Sequence, residues 1–311
     1  MNKMRLLGLT TLSALAISIP AFSQGSTLNE DDTTLLNNAL MSTAAASSFS
    51  YDFALALDAD VSGAGAVANI VGNGVVFTDA NNPSFSLAVS GSVEANGEET
   101  PVDLELRFVD SMVYVLAEGE WHGITAEDFA SNFTQGFSSG AGISVDPEEI
   151  ASGDISALAE IPGFSQAMAG LSALDPETFI FQSRLDDMDG SAHFSTELSL
   201  SDLFGQPAFL QLFTSATTGD TSLQQMSDAE LQQLGTMMSQ MFGNASITFD
   251  QFVDTSTNYL DRAVVDVNLP LPAAMGLQGT ILFNFDVALA SFDEAEAVVA
   301  PENFTLESGN S

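Results

Sequence analysis

The sequence predicts an α+β fold of antiparallel strands, each with one covered face, beside a few helices. Three observations carry that expectation. Large apolar residues alternate with small or polar ones over many short segments, the period of a strand with one covered face. Helix-period segments are few and stand apart from the alternating ones. Of the 311 residues, 45% are hydrophobic and only 15% charged, the balance of a chain that buries a core and not of a disordered one.

The chain opens with Lys3 and Arg5, then the apolar run Leu6 to Ile19, then Ala21, Phe22 and Ser23. This is the order of a secretory signal, with cleavage expected near Ser23, and what remains is long enough for one large domain or two small ones. The run is shorter than the roughly 20 residues of a membrane span, and no later segment comes closer. The expectation is a soluble exported protein, periplasmic or extracellular, with no stable membrane span.

Residues 29 to 46 place Leu36, Ala39, Leu40 and Thr43 at helical spacing behind the acidic start Asn29-Glu30-Asp31-Asp32. From Phe49 the period becomes two: Phe49, Tyr51, Phe53, Leu55 and Leu57 alternate with Ser50, Asp52, Ala54, Ala56 and Asp58. The alternation returns in Phe85, Leu87, Val89 and Val93, and in Val102, Leu104, Leu106 and Phe108. Asn96-Gly97 and Asp110-Ser111 supply turns, and residues 112–117 return along the sheet toward the sole tryptophan, Trp121. The first half reads as a meander.

Residues 124–174 lose the alternation; Ile124, Phe129, Phe133 and Phe137 predict two loosely bounded helices. Strands follow near 178–185 and 191–199 around Asp189-Gly190, a strong hairpin signal. Helical pieces follow at about 201–215 and 228–242. The second carries capping-box spacing from Ser227 to Glu230 and an apolar stripe of Leu231, Leu234, Met238, Met241 and Phe242. Strands near 246–253, 259–269 and 279–289 complete the pattern, the last with Ile281, Phe283, Phe285, Val287 and Leu289 on one side.

Charge excludes several functions. There are 42 Asp plus Glu against 5 Lys plus Arg, and two of those five, Lys3 and Arg5, lie before residue 24. Beyond it only Arg107, Arg184 and Arg262 are cationic, a formal charge of −39 that repels nucleic acid and anionic membrane surfaces. Without lysine in that region there is no phosphate-loop lysine and no Schiff base. Without cysteine there is no thiol catalysis, no disulfide and no lipidated N-terminal cysteine.

Four motifs fail on context. Gly136, Phe137, Ser138, Ser139 and Gly140 fit Gly-x-Ser-x-Gly, with His193 downstream, but an elbow needs a buried strand before the serine and Ala126 to Gln135 reads as a helix. Asp186, Asp187, Asp189 and Gly190 fail as a calcium loop because Leu185 and Thr196 take its first and twelfth positions; a hairpin turn explains them. His122 and His193 alone cannot make a structural zinc site. Glu118 and Glu120 carry little information as an acid pair among so many acids. The chain is expected not to be an enzyme and to need no cofactor. Alternation places Arg107, Arg184 and Arg262 on polar strand faces, in exposed ion pairs.

The strand faces pose the functional question. Each large apolar side chain buried is worth roughly 1.5–3 kcal/mol, so a broad apolar face must be covered by helices, another sheet or a ligand. Complete cover by side chains predicts a non-carrier, acidic cell-envelope interaction protein; incomplete cover predicts a cavity.

The order of an N-terminal helix, Ser47-Ser48-Phe49-Ser50-Tyr51-Asp52-Phe53, a meander ending in Met112-Val113-Tyr114-Val115-Leu116 and Trp121, then helices, resembles LolA-like and LppX/LprG-like lipid carriers. Gly190 to Phe194 and the strand Ile281 to Leu289 leading to Val298-Val299-Ala300-Pro301 are similar too, so the resemblance runs from about Leu35 to Pro301. It implies a strongly curved antiparallel sheet, an incomplete β-barrel wrapped around lid helices, forming a single carrier domain over 24–311 that holds acyl chains of a lipid or other apolar ligand between sheet and helices and ferries them across the cell envelope. Phe53, Phe85, Leu87, Leu104, Phe283 and Phe285 are the expected cavity lining, and a basic envelope protein the expected docking partner. The anchoring cysteine usual in LppX/LprG-type proteins is missing, and the inward arginine used by LolA-type carriers is not expected here, which favours a lipid over a lipoprotein as cargo.

Overall fold

The computed structural model describes residues 27–79, 82–129, 174–206, 209–210, 227–271 and 278–306. The leader, most of the two helices expected over 124–174, the Ser138 motif and residues 211–215 lie outside them.

Helix α1 (Glu30–Ala45) starts where Asn29 Oδ1 accepts the backbone N–H of Asp32 at 2.8 Å. Six strands then run as a meander: β1 (Ser48–Val61), β2 (Ala64–Phe77), β3 (Ser84–Ala95), β4 (Glu98–Val109), β5 (Met112–Ala117) and β6 (Glu120–Thr125). The β7–β8 hairpin (Ile180–Arg184, Ser191–Leu198) leads to the short α2 (Leu200–Phe204) and to α3 (Asp228–Met241). Strands β9 (Ser246–Asp254), β10 (Tyr259–Leu271) and β11 (Gly279–Ala290) follow, and β12 (Thr305–Leu306) closes the described chain.

The strands make one twelve-stranded sheet in the order β12-β6-β5-β4-β3-β2-β1-β11-β10-β9-β8-β7. It is antiparallel except for β12, which lies parallel to β6. β12 and β7 are the two ends and do not meet, so the barrel is incomplete. Most joints are hairpins with left-handed residues where the sequence places turn dipeptides: Asn96 and Gly97, Asp110 and Ser111, Glu118 and Gly119, Asp189 and Gly190.

The buried cluster joins Leu36 and Ala39 of α1 to Tyr51, Val76, Ala192, Phe194, Val253, Leu260, Ala263 and Val287. Those strand residues span β2 to β8 in sheet order, about 24 Å if flat at about 4.8 Å per strand. A helix about 10 Å wide completes one cluster with them because the sheet bends toward it. Thr43 Oγ1 accepts the buried backbone N–H of Leu260 at 2.9 Å and fixes the helix on β10. A second, smaller cluster lies between α2 and α3, where Phe204 and Leu210 meet Leu231 and Met238. The capping box of α3 is formed: Ser227 N–H donates to Glu230 Oε2 at 2.7 Å and Ser227 Oγ accepts the Glu230 N–H.

Three elements depart from the sequence expectation. β2 is a full strand in a segment the alternation passes over. Ile124, expected to open a helix, is in β6; the helical residues that follow begin at 126. β12, a two-residue strand on the β6 edge, has no counterpart in the reading.

Candidate functional site: the two faces of the sheet

The register decides which side chains share a face, because directly paired residues of antiparallel strands project the same way. One row runs Leu104–Val89–Gly72–Phe53–Val287–Ala263, and the rows beside it hold Leu87 with Gly74 and Tyr51, Phe85 with Val76 and Phe49, Phe285 with Leu55, and Phe283 with Leu57. Phe53, Phe85, Leu87, Leu104, Phe283 and Phe285 therefore lie on one face, the face on which α1 packs.

That face is unevenly covered. At the α1 end Tyr51, Val76 and Val287 are buried, and Phe53, Phe85, Leu87 and Phe285 pack against them. Phe53 and Phe285 are in ring contact at 5.9 Å, as are Phe85 and Phe108 at 5.7 Å. Away from α1, Leu55, Leu57 and Phe283 are half-buried, and Leu104 is 36% exposed. Two glycines of β2 shape the covered end. A β-carbon on Gly72 would stand 2.4 Å from the Phe53 ring, and one on Gly74 2.5 Å from the Tyr51 hydroxyl, so both rings lie across β2 where it has no side chain. Burial pushes the Tyr51 phenol up to about 12.

Arg184 overturns the expectation that every arginine sits on a polar face. It pairs across the hairpin with buried Phe194 of the α1 face, lies 5.1 Å over that ring, and meets Asp32 of α1 at 3.5 Å. Its neighbours on this face include the buried polar residues Gln182, Thr196 and Gln251. Asp187, in the turn between β7 and β8, is a further partner of the guanidinium. Arg107 and Arg262 are on the opposite face as expected, paired with Glu105 at 2.8 Å and Asp286 at 2.7 Å. Each also covers an aromatic ring, Arg107 that of Trp121 and Arg262 that of Phe252. All three cations thus have a carboxylate partner.

His193 projects from the same polar face, buried and stacked on Phe252 at 4.3 Å, with its Nε2 3.5 Å from Asp250. Among the described residues no group of three or more potential metal ligands converges. No helix among them is long and apolar enough to cross a membrane.

The polar face also carries an open depression of about 540 Å³ across β10, β11 and β1 to β5. Asp52, Val71, Asn73, Ser90 and Asp103 project along it, with the Arg262–Asp286 pair at one end. Phe53 and Leu104 sit between these positions on their strands, with side chains belonging to the other face. The depression and the Phe-rich surface are thus two features on opposite sides of one sheet. Sequence alternation sorted residues into the two faces but gave no sign of a depression on the polar one.

Among solved structures the chain is similar to LprF, in the crystal structure of LprF from Mycobacterium bovis, with 13% identity and a TM-score of 0.34, covering 86% of this chain and 95% of that one. A likeness this distant says nothing of cargo. No protein-family model matches the chain, and no curated protein does.

Proposed function

We propose that the protein is an exported binding protein that holds the acyl chains of a lipid or another apolar ligand against the Phe-rich face of its open sheet, between sheet and helices, and ferries them across the cell envelope. The observation that supports it is the placement of Phe53, Phe85, Leu87, Leu104, Phe283 and Phe285 on one face that α1 covers at one end only.

Binding of this kind needs no reacting group. Acyl methylenes leaving water for the Leu55, Leu57, Phe283 and Leu104 region gain about 0.8 kcal/mol per buried CH₂, and aromatic rings accept them without demanding hydrogen bonds. In this reading the protein is a carrier and not an enzyme, and its acidity serves docking on a basic envelope partner.

A packed face without cargo is the competing reading, and it describes the α1 end, where Tyr51, Val76 and Val287 are core. The two readings part at the other end. A fluorescent fatty acid should bind saturably to the full chain, and Leu104→Gln and Phe283→Gln should weaken it with the circular dichroism spectrum unchanged. Uptake unaffected by either substitution would move the ligand off this face.

A further inference from the structure

We infer that the lipid held on the Phe-rich face is uncharged, of the class of an acylglycerol, and that a lipid with an ionised head is discriminated against. This rests on the reading of that face as a lipid site and narrows it from acyl chains in general to one kind of head.

The register gives the content of the face. Across β10, β11 and β1 to β4, the rows from that of Phe53 outward end, away from α1, in Leu269–Ile281–Ala59–Ala66–Ala95–Glu98. From Phe53 to Ala59 they extend about 20 Å along β1. That is longer than the roughly 15 Å of one leaflet's half of a bilayer core, so a whole chain and the group it is esterified to fit on the face. Every position in these rows is apolar or glycine except Thr100 and Glu98, both exposed at the rim on β4.

An ionised head finds no partner there. Arg107, Arg184 and Arg262 are the only lysine or arginine side chains of residues 24–311, so no other segment of that stretch can bring one to the face. Arg107 and Arg262 project from the opposite side, and Arg184 on β7 is held by Asp32 and Asp187. The histidine of this side, His122, stands on β6, two strands outside these rows. A carboxylate or phosphate drawn onto the face would lose its water with no cation in exchange, the costliest kind of burial. It would also meet the repulsion of a chain with a formal charge of −39 beyond the leader. An ammonium would lose its water too, with only the exposed Glu98 to meet it, and exposed ion pairs are weak. An ester or hydroxyl head loses far less, and the Thr100 hydroxyl is placed to donate to an ester carbonyl at the rim.

The test is fluorescence titration of the full chain, at about 0.15 M salt to screen diffuse surface charge, with cis-parinaric acid and its monoacylglycerol, which share one chain. The expected result is saturable binding of both, the ester about tenfold or more tighter. Glu98→Lys with Thr100→Lys, which puts two cations on the rim of this face, should bring the acid to within about threefold of the ester. Ser92→Lys with Glu94→Lys, the same change of net charge on the opposite face, should leave the gap as it was, with melting temperatures showing that both pairs fold. Binding of the acid as tight as that of the ester would overturn this inference and leave the face a lipid site. A gap closed equally by both lysine pairs would overturn it as well, tracing the preference to diffuse charge. Neither lipid binding would end the reading of the face itself, and this inference with it.

Discussion

Tyr51 lies across Gly74: its hydroxyl donates to the Ser86 carbonyl oxygen two strands away at 2.9 Å, and a β-carbon on Gly74 would stand 2.5 Å from that hydroxyl and 2.0 Å from the same carbonyl. The ring occupies what would be the side-chain position of β2, so the glycine and the tyrosine are one packing unit. Gly74→Ala should therefore destabilise the protein by about 1–3 kcal/mol or more, because a backbone oxygen cannot step aside. Gly65→Ala in the same strand, with nothing within 4 Å of the added carbon, should stay within about 0.5 kcal/mol. Urea unfolding of the two variants checks the contrast.

The Tyr51 phenol should also set an alkaline limit to stability. Its folded value is about 12 against an ordinary 10.0, so the folded protein keeps a proton that the unfolded chain releases. Stability is then undiminished below pH 10 and falls as pH rises from 10 toward 12. Tyr51→Phe should cost about 1 kcal/mol at pH 7 for the lost hydrogen bond and should show a shallower fall above pH 10. Melting temperatures across that range, with phenolate absorbance, measure both effects.

At the acid end, Asp293 ties the chain after β11 to the start of β1. The Ser47 hydroxyl and backbone N–H both donate to it at 2.7 Å, and the Tyr259 hydroxyl at 3.0 Å. These bonds, the Ser47 hydroxyl foremost, hold its carboxyl below the usual 3.8. A depressed carboxylate contributes stability above its unfolded value and loses it as pH falls through the folded one. The melting-temperature gap between the wild type and Asp293→Ala should be full at pH 5 to 7 and should shrink below about pH 3.8. A gap that is constant with pH would detach the effect from this carboxyl.

Salt should stabilise the fold. With three arginines against 42 carboxylates beyond the leader, and each arginine already matched, the remaining charge is repulsive. Raising salt from about 10 mM to 1 M shortens the screening length from about 30 Å to 3 Å and should raise the melting temperature. A flat response would contradict a repulsive surface.

How much of this was legible in the sequence follows from what alternation records. It found β1, β3, β4 and β9 to β11 because each carries its own large apolar residues at every second position. It passed over β2 because Gly72 and Gly74, on the apolar face, cede their space to Phe53 and Tyr51 of β1, so the signal for β2 is written in another strand. It put the expected lining residues on apolar strand sides; that these sides are one face needed the register. Alternation misplaces Arg184 because a polar strand side need not face outward: Gln182, Thr196 and Gln251 are buried polar residues on the covered side, and Asp32 comes from a helix far away in sequence. The polar-face depression left no trace, since which small residues line up across neighbouring strands is set by the pairing register and not by a sequence period.

Native mass spectrometry of the protein purified without organic extraction tests the central claim most directly. The account expects the chain to carry co-purified lipid, or after stripping to take up an added fatty acid at fixed stoichiometry, and to lose that mass in Leu104→Gln with Phe283→Gln. A bare chain that refuses every offered lipid, with those two substitutions changing nothing, would show the Phe-rich face to be ordinary core.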